Sequence, residues 1–133
     1  MSFQIDTENL KQEMAEMPGR MADICQRIAE ARNDEARAEQ QYKIARFIAE
    51  RNIRDLYKNS FGFEKKPTED AIKMEVALNP DVLRAQTTHR MAEEDLRLLE
   101  AELQAYKTKA DMLVSLSAYV RSEMETLRFS NAR

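Results

Sequence analysis

The sequence predicts an all-α protein: a long antiparallel helical hairpin, coiled-coil-like, with short accessory helices. Three observations lead there. A seven-residue apolar repeat runs from Val82 to Leu127, the chain has only 2 Gly and 3 Pro in 133 residues, and those five fall at three places: Pro18-Gly19, the stretch 62–67, and Pro80. Strands and frequent turns need more of both residue types, and each interrupts a helix for its own backbone reason. By length the chain is one domain, 1–133, divided into a short N-terminal helix (1–19), a long basic helix with its connector and a short helix (20–78), and a long C-terminal helix (79–133).

Taken in order, residues 7–17 form a first helix with Leu10, Met14 and Met17 on one side, and Pro18-Gly19 ends it. The second helix runs from about Arg20 to Ser60. Its stripe is Met21, Ile24, Ile28 and Ala31, thins over the polar, Ala-rich stretch 33–41, and resumes at Tyr42, Ala45, Ala49, Ile53 and Leu56. High helical propensity throughout argues against a break there. Residues 59–67 connect to a short helix ending at Leu78, capped by Thr68 with Glu69 and Asp70 in its first turn.

The C-terminal helix organises the rest. Asn79 is a good N-cap, Pro80 suits the first helical position, and Asp81 complements the helix dipole. The inward register is Val82, Ala85, His89, Ala92, Leu96, Leu99, Leu103, Tyr106, Ala110, Leu113, Ser117, Val120, Met124 and Leu127, of which twelve of fourteen are apolar or aromatic. A heptad kept that long places the stripe against another helix. Unbroken, the run would span about 70 Å, too long for a compact globule of this mass, so the second helix must lie alongside. Antiparallel pairing sets Leu56, Ile53 and Ala49 near Val82, Ala85 and His89.

A second row, Met112, Leu116 and Tyr119, flanks the seam and makes the C-terminal face wider than one partner needs. Surplus apolar surface of this kind predicts self-association. The expectation is a homo-oligomer held through Met112, Leu113, Leu116, Tyr119, Val120, Met124 and Leu127. The alternative is that the first helix folds over this face.

Enzyme readings fail early. One His and one Cys give no zinc-type ligand set, and neither glycine belongs to a phosphate-binding loop. His89 has Glu93 four residues on, but Gln86 stands where a di-metal bundle site would place a Glu. His89 therefore reads as a packed seam residue and Cys25 as a small buried one. No catalytic residue, metal or cofactor is expected. Lone Cys25 forms no internal disulfide and suits a reducing compartment. The first residues lack the basic start and apolar run of a signal peptide, and no stretch has the apolar length of a membrane span. A cytoplasmic protein with no membrane partner is expected.

The net charge is −3 and the pI about 5.3, so the molecule as a whole is no basic nucleic-acid binder. Charge sign changes locally, however. Residues 41–66 hold Lys43, Arg46, Arg51, Arg54, Lys58, Lys65 and Lys66 against Glu50, Asp55 and Glu64, a balance of +4, so the remainder carries −7. At about 100° per residue, Lys43, Arg51, Arg54 and Lys58 fall within roughly an 80° wedge that includes Phe47, with Tyr57 near its edge. The apolar stripe points elsewhere, and Phe61 and Phe63 follow between Lys58 and Lys65-Lys66. Cations interleaved with aromatic rings suit sequence-tolerant binding of a single strand. The bland alternative is a solvated face with Phe61 and Phe63 folded over the hairpin tip.

The order of features then becomes familiar: a basic helix ending Arg51-Asn52-Ile53-Arg54-Asp55-Leu56-Tyr57, a Gly-containing turn, a short helix ending Ile72-Lys73-Met74-Glu75-Val76-Ala77-Leu78, and Pro80-Asp81-Val82-Leu83-Arg84 entering a long helix. This resembles the UvsY-type recombination mediators of bacteriophages over most of the chain, in length, charge order and helix order. The resemblance implies a non-enzymatic, ring-forming helical subunit that binds single-stranded DNA, helps displace the single-strand-binding protein and loads a RecA-like recombinase during DNA recombination and repair. It would act in the host cytoplasm if phage-encoded. Arg51 and Arg54 occupy the place of the family's basic DNA contacts, with Lys58 close by, while Phe61 and Phe63 replace a smaller, glycine-rich turn. The competing class is a helical scaffold or assembly chaperone that binds protein partners.

Overall fold

A computed structural model describes residues 7–60 and 68–131, and every element in it is helical: α1 (Thr7–Ser60), α2 (Glu69–Leu78) and α3 (Pro80–Asn131). Backbone proximity divides the chain into two compact units, one of Met1–Ile28 with Leu98–Arg133 and the other of Ala29–Arg97. In each, a segment of α1 packs antiparallel on a segment of α3.

The expected break at Pro18-Gly19 is absent, because α1 passes through both residues. An interior proline removes one backbone hydrogen bond and costs about 3 kcal/mol. The apolar stripe keeps helical spacing across the dipeptide, and that decides the outcome. Leu10, Met17 and Leu113 form a buried cluster with Met14, Tyr106 and Ala110 packed against it, and each large side chain so buried contributes about 1.5–3 kcal/mol. Pro18 and Gly19 themselves face outward. The hairpin of this first unit is pinned at its surface by Arg27 to Glu102 at 3.3 Å, Arg20 to the Tyr106 hydroxyl at 3.2 Å, and Lys109 to Glu13 at 3.8 Å. Exposed pairs of this kind contribute little each.

In the second unit, Ala49, Ile72, Val76 and Val82 form the core, with Tyr42, Ala45 and Ile53 against it. Both caps sit as the sequence predicts. The Thr68 side chain accepts from Ala71 N–H at 3.2 Å, and Asn79 Oδ1 accepts from Asp81 N–H at 2.9 Å. Leu56, expected on the inward stripe, is 61% exposed. The reason is α2: it docks on the side of α1 that carries Ile53, Arg54 and Tyr57, which turns the covered face away from Leu56.

The heptad seam of α3 is buried or half-buried at every position from Val82 to Val120, whereas Met124 and Leu127 are exposed. Leu113 already lies opposite Leu10, so the seam beyond Val120 runs past the start of the described part of α1. Leu113, expected to join copies of the chain, is thus taken up by the intrachain core. The N-terminal stretch covers the seam but leaves the second row open: Met112, Leu116 and Tyr119 are exposed, with a shallow groove of about 440 Å³ at Thr108, Asp111, Met112, Ser115 and Leu116. No helix among the described residues is long and apolar enough to cross a membrane.

Candidate nucleic-acid interface

The outward face at the end of α1 follows from the inward one. With Tyr42, Ala45, Ala49 and Ile53 turned to the core, the residues roughly opposite on the wheel must face solvent. Lys43, Arg46, Phe47, Arg51, Arg54 and Lys58 are all exposed. Phe47, at 66% exposure, stands one turn before Arg51 and one turn after Lys43. Lys58 lies in the last turn, where a cation complements the carbonyl end of the helix.

The cations are not equivalent. Lys43 pairs with Glu39 at 3.4 Å. Arg46 lies over the Tyr42 ring, 5.6 Å from its centre. Arg54 is held by Glu50 at 3.0 Å and by Glu69 of α2 at 2.8 Å. Hydrogen bonds to Glu69 and then Glu50 hold its guanidinium above its usual pKa range, opposing the smaller effect of desolvation. Tyr57 donates its hydroxyl proton to Glu75 at 2.6 Å, and that bond raises the phenol's pKa. Arg51 and Lys58 make no ion pair among the described residues. Phe61, Phe63, Lys65 and Lys66 lie outside the described residues.

Sequence reasoning placed these residues on one face but missed what α2 brings to it. Residues 41–60 hold five basic and two acidic side chains, but α2 adds Glu69, Asp70 and Glu75 against Lys73 alone. Two of those carboxylates engage Arg54 and Tyr57. What remains for a polyanion is Arg51 and Lys58 beside an open Phe47 ring, with Arg46 on the flank over Tyr42 and Lys43 loosely held by an exposed i,i+4 pair.

Also missed were Ile44 and Ile48, exposed at 51% and 50% beside Phe47. They fall outside the inward stripe, which was the available signal. A groove of about 250 Å³ runs along them, edged by Asn52, Asn79 and Asp81. The face therefore offers cations, a ring, two aliphatic side chains and amide groups. These are means of binding. Comparison with protein-family models, curated proteins and solved structures returns no match for this chain.

Proposed function

We propose that this chain is a single-stranded DNA-binding recombination mediator, a non-enzymatic subunit of a homo-oligomeric ring that assists loading of a RecA-like recombinase onto DNA covered by single-strand-binding protein. The observation that carries the proposal is the pair Arg51 and Lys58, which make no ion pair among the described residues and are exposed on the same side of α1 as a two-thirds exposed Phe47. Charge of this kind tracks phosphates while a ring stacks on bases, giving affinity without sequence preference. The order of features shared with UvsY-type mediators supplies the recombination context. The exposed row Met112, Leu116 and Tyr119, continued by Met124 and Leu127, supplies apolar surface for assembly. Several weak copies of the basic face on one ring would bind tightly through multivalency.

The test is binding of a labelled oligothymidylate to the full chain across a salt series, with Arg51→Ala/Lys58→Ala as the comparison. Weaker binding and a shallower salt dependence at unchanged oligomer size are expected. A second reading, a helical scaffold or assembly chaperone for protein partners, is favoured by the Ile44, Phe47 and Ile48 patch, which suits an apolar partner as well as a base. Absence of single-strand binding at low salt would leave that reading in place.

A further inference from the structure

Two i,i+4 pairs face each other within the second unit: Glu35 and Glu39 on α1, His89 and Glu93 on α3. We propose that Glu35, Glu39 and His89 bind a divalent transition metal ion of the zinc class, tying α1 to α3, with Glu93 beside the imidazole. The proposal is independent of the DNA-binding reading.

The geometry brings three donors from the two helices together. His89 Nε2 lies 2.9 Å from Glu35 Oε1 and 3.0 Å from Glu93 Oε1. Ligand atoms of Glu35, Glu39 and His89 all fall within 4.8 Å of one another. Zinc bonds of about 2.0–2.2 Å imply ligand-to-ligand separations of roughly 3.3–3.6 Å in a tetrahedron. The Glu35–His89 contact is slightly shorter than that, and Glu39 lies within the 4.8 Å span of the set.

Charge points the same way. A single imidazole nitrogen carries one proton, and one N–H cannot aim well at two carboxylates on different helices. The site is partly withdrawn from water, with His89 and Glu35 side chains only 16% and 24% exposed. Three carboxylates gather there around one imidazole, and Lys43 offsets only Glu39. A proton on the imidazole supplies one positive charge to this cluster, whereas a divalent cation with neutral imidazole supplies two and can be shared by Glu35 and Glu39 across the helices. The imidazole is also held in place: its ring stacks on Tyr42 at 6.3 Å between centres and 17° between planes, and Arg46 covers that tyrosine. An imidazole among carboxylates selects zinc, cobalt or nickel over magnesium and calcium, which take oxygen alone.

The test uses the full chain stripped with chelator, titrated with ZnCl2 by calorimetry and with CoCl2 by visible absorption, together with thermal melts. Wild type should bind one Zn2+ per chain, melt at higher temperature with Zn2+ present, and show the visible bands of nitrogen-ligated Co2+. His89→Gln should abolish all three. Because that substitution also removes the contacts to Glu35 and Glu93, Glu39→Gln is the decisive variant: it leaves those contacts in place, should keep the apo melting temperature, and should weaken Zn2+ binding at least tenfold. No Zn2+ binding by wild type, equal binding by Glu39→Gln, or Co2+ bands that survive in His89→Gln would each overturn the site.

Discussion

Replacing Arg51 and Lys58 together with Ala should flatten the salt dependence of single-strand binding, and the structure sets how far. Arg51 and Lys58 on the outward face and Arg46 on its flank are the exposed cations of this stretch without a carboxylate partner among the described residues. If each neutralises one phosphate, log K falls with log salt at a slope of about −2 per engaged subunit, taking about 0.7 per phosphate for single strands. Raising NaCl from 50 to 200 mM then weakens wild type roughly 20-fold per subunit, and the double variant, with one contact left, only about 3-fold. Arg54→Ala alone should change the slope by less than about 0.3, because Glu50 and Glu69 already neutralise that guanidinium. Conversely, Glu69→Gln should release Arg54 in part and strengthen binding at low salt. Fluorescence anisotropy of a labelled oligothymidylate at four or five salt concentrations, with oligomer size checked by light scattering, measures all of this. An unchanged slope in the double variant, or a slope lost equally with Arg54→Ala, would refute the division of free from engaged cations.

Other outcomes follow from the packing. Gly19 sits in a helix where, its chain neighbours and the helix's own backbone aside, nothing lies within 4 Å of where a Cβ would go, so Gly19→Ala should stabilise by about 0.5–1 kcal/mol in thermal or urea unfolding. A loss of stability would mean that α1 does not continue there. Ile72→Ala, in a side chain 2% exposed, should cost about 2–5 kcal/mol and loosen α2 from α1; hydrogen exchange over Glu69–Leu78 reads the second effect. Leu113→Ala should lower monomer stability by a similar amount, whereas Leu116→Glu, on the open row, should leave stability within about 0.5 kcal/mol and reduce oligomer size in sedimentation. The raised pKa of Tyr57 has a definite sign. The folded state holds the phenol proton more tightly than the unfolded chain, so this stabilisation is complete below about pH 10 and disappears as pH rises through the folded pKa. Tyr57→Phe should remove that alkaline dependence in pH-resolved melts.

Much of the fold was written into local pattern. The α3 register needed only the spacing of its apolar residues, since a heptad fixes which side of a helix is covered whatever covers it. The caps at Thr68 and Asn79 were legible because they depend on the few residues that follow. Pro18-Gly19 misled because a local penalty was weighed without the core that outweighs it, and the stripe Leu10, Met14, Met17, Met21 and Ile24 shows the continuity only once Leu113 is known to lie against it.

The basic character of the α1 end was likewise sequential, but which cations stay free was not. Arg54 loses its availability to Glu69, 15 residues away, through the docking of α2. His89 read as a seam residue from α3 alone, and only the pairing of α1 with α3 sets Glu35, 54 residues distant, against its imidazole. Sequence by itself determined the all-helical class, the caps of α2 and α3 and the covered face of α3, because those rest on backbone propensity and short-range periodicity. Tertiary structure decided how each charge is spent, because an ion pair or a ligand set depends on distances that no local pattern encodes.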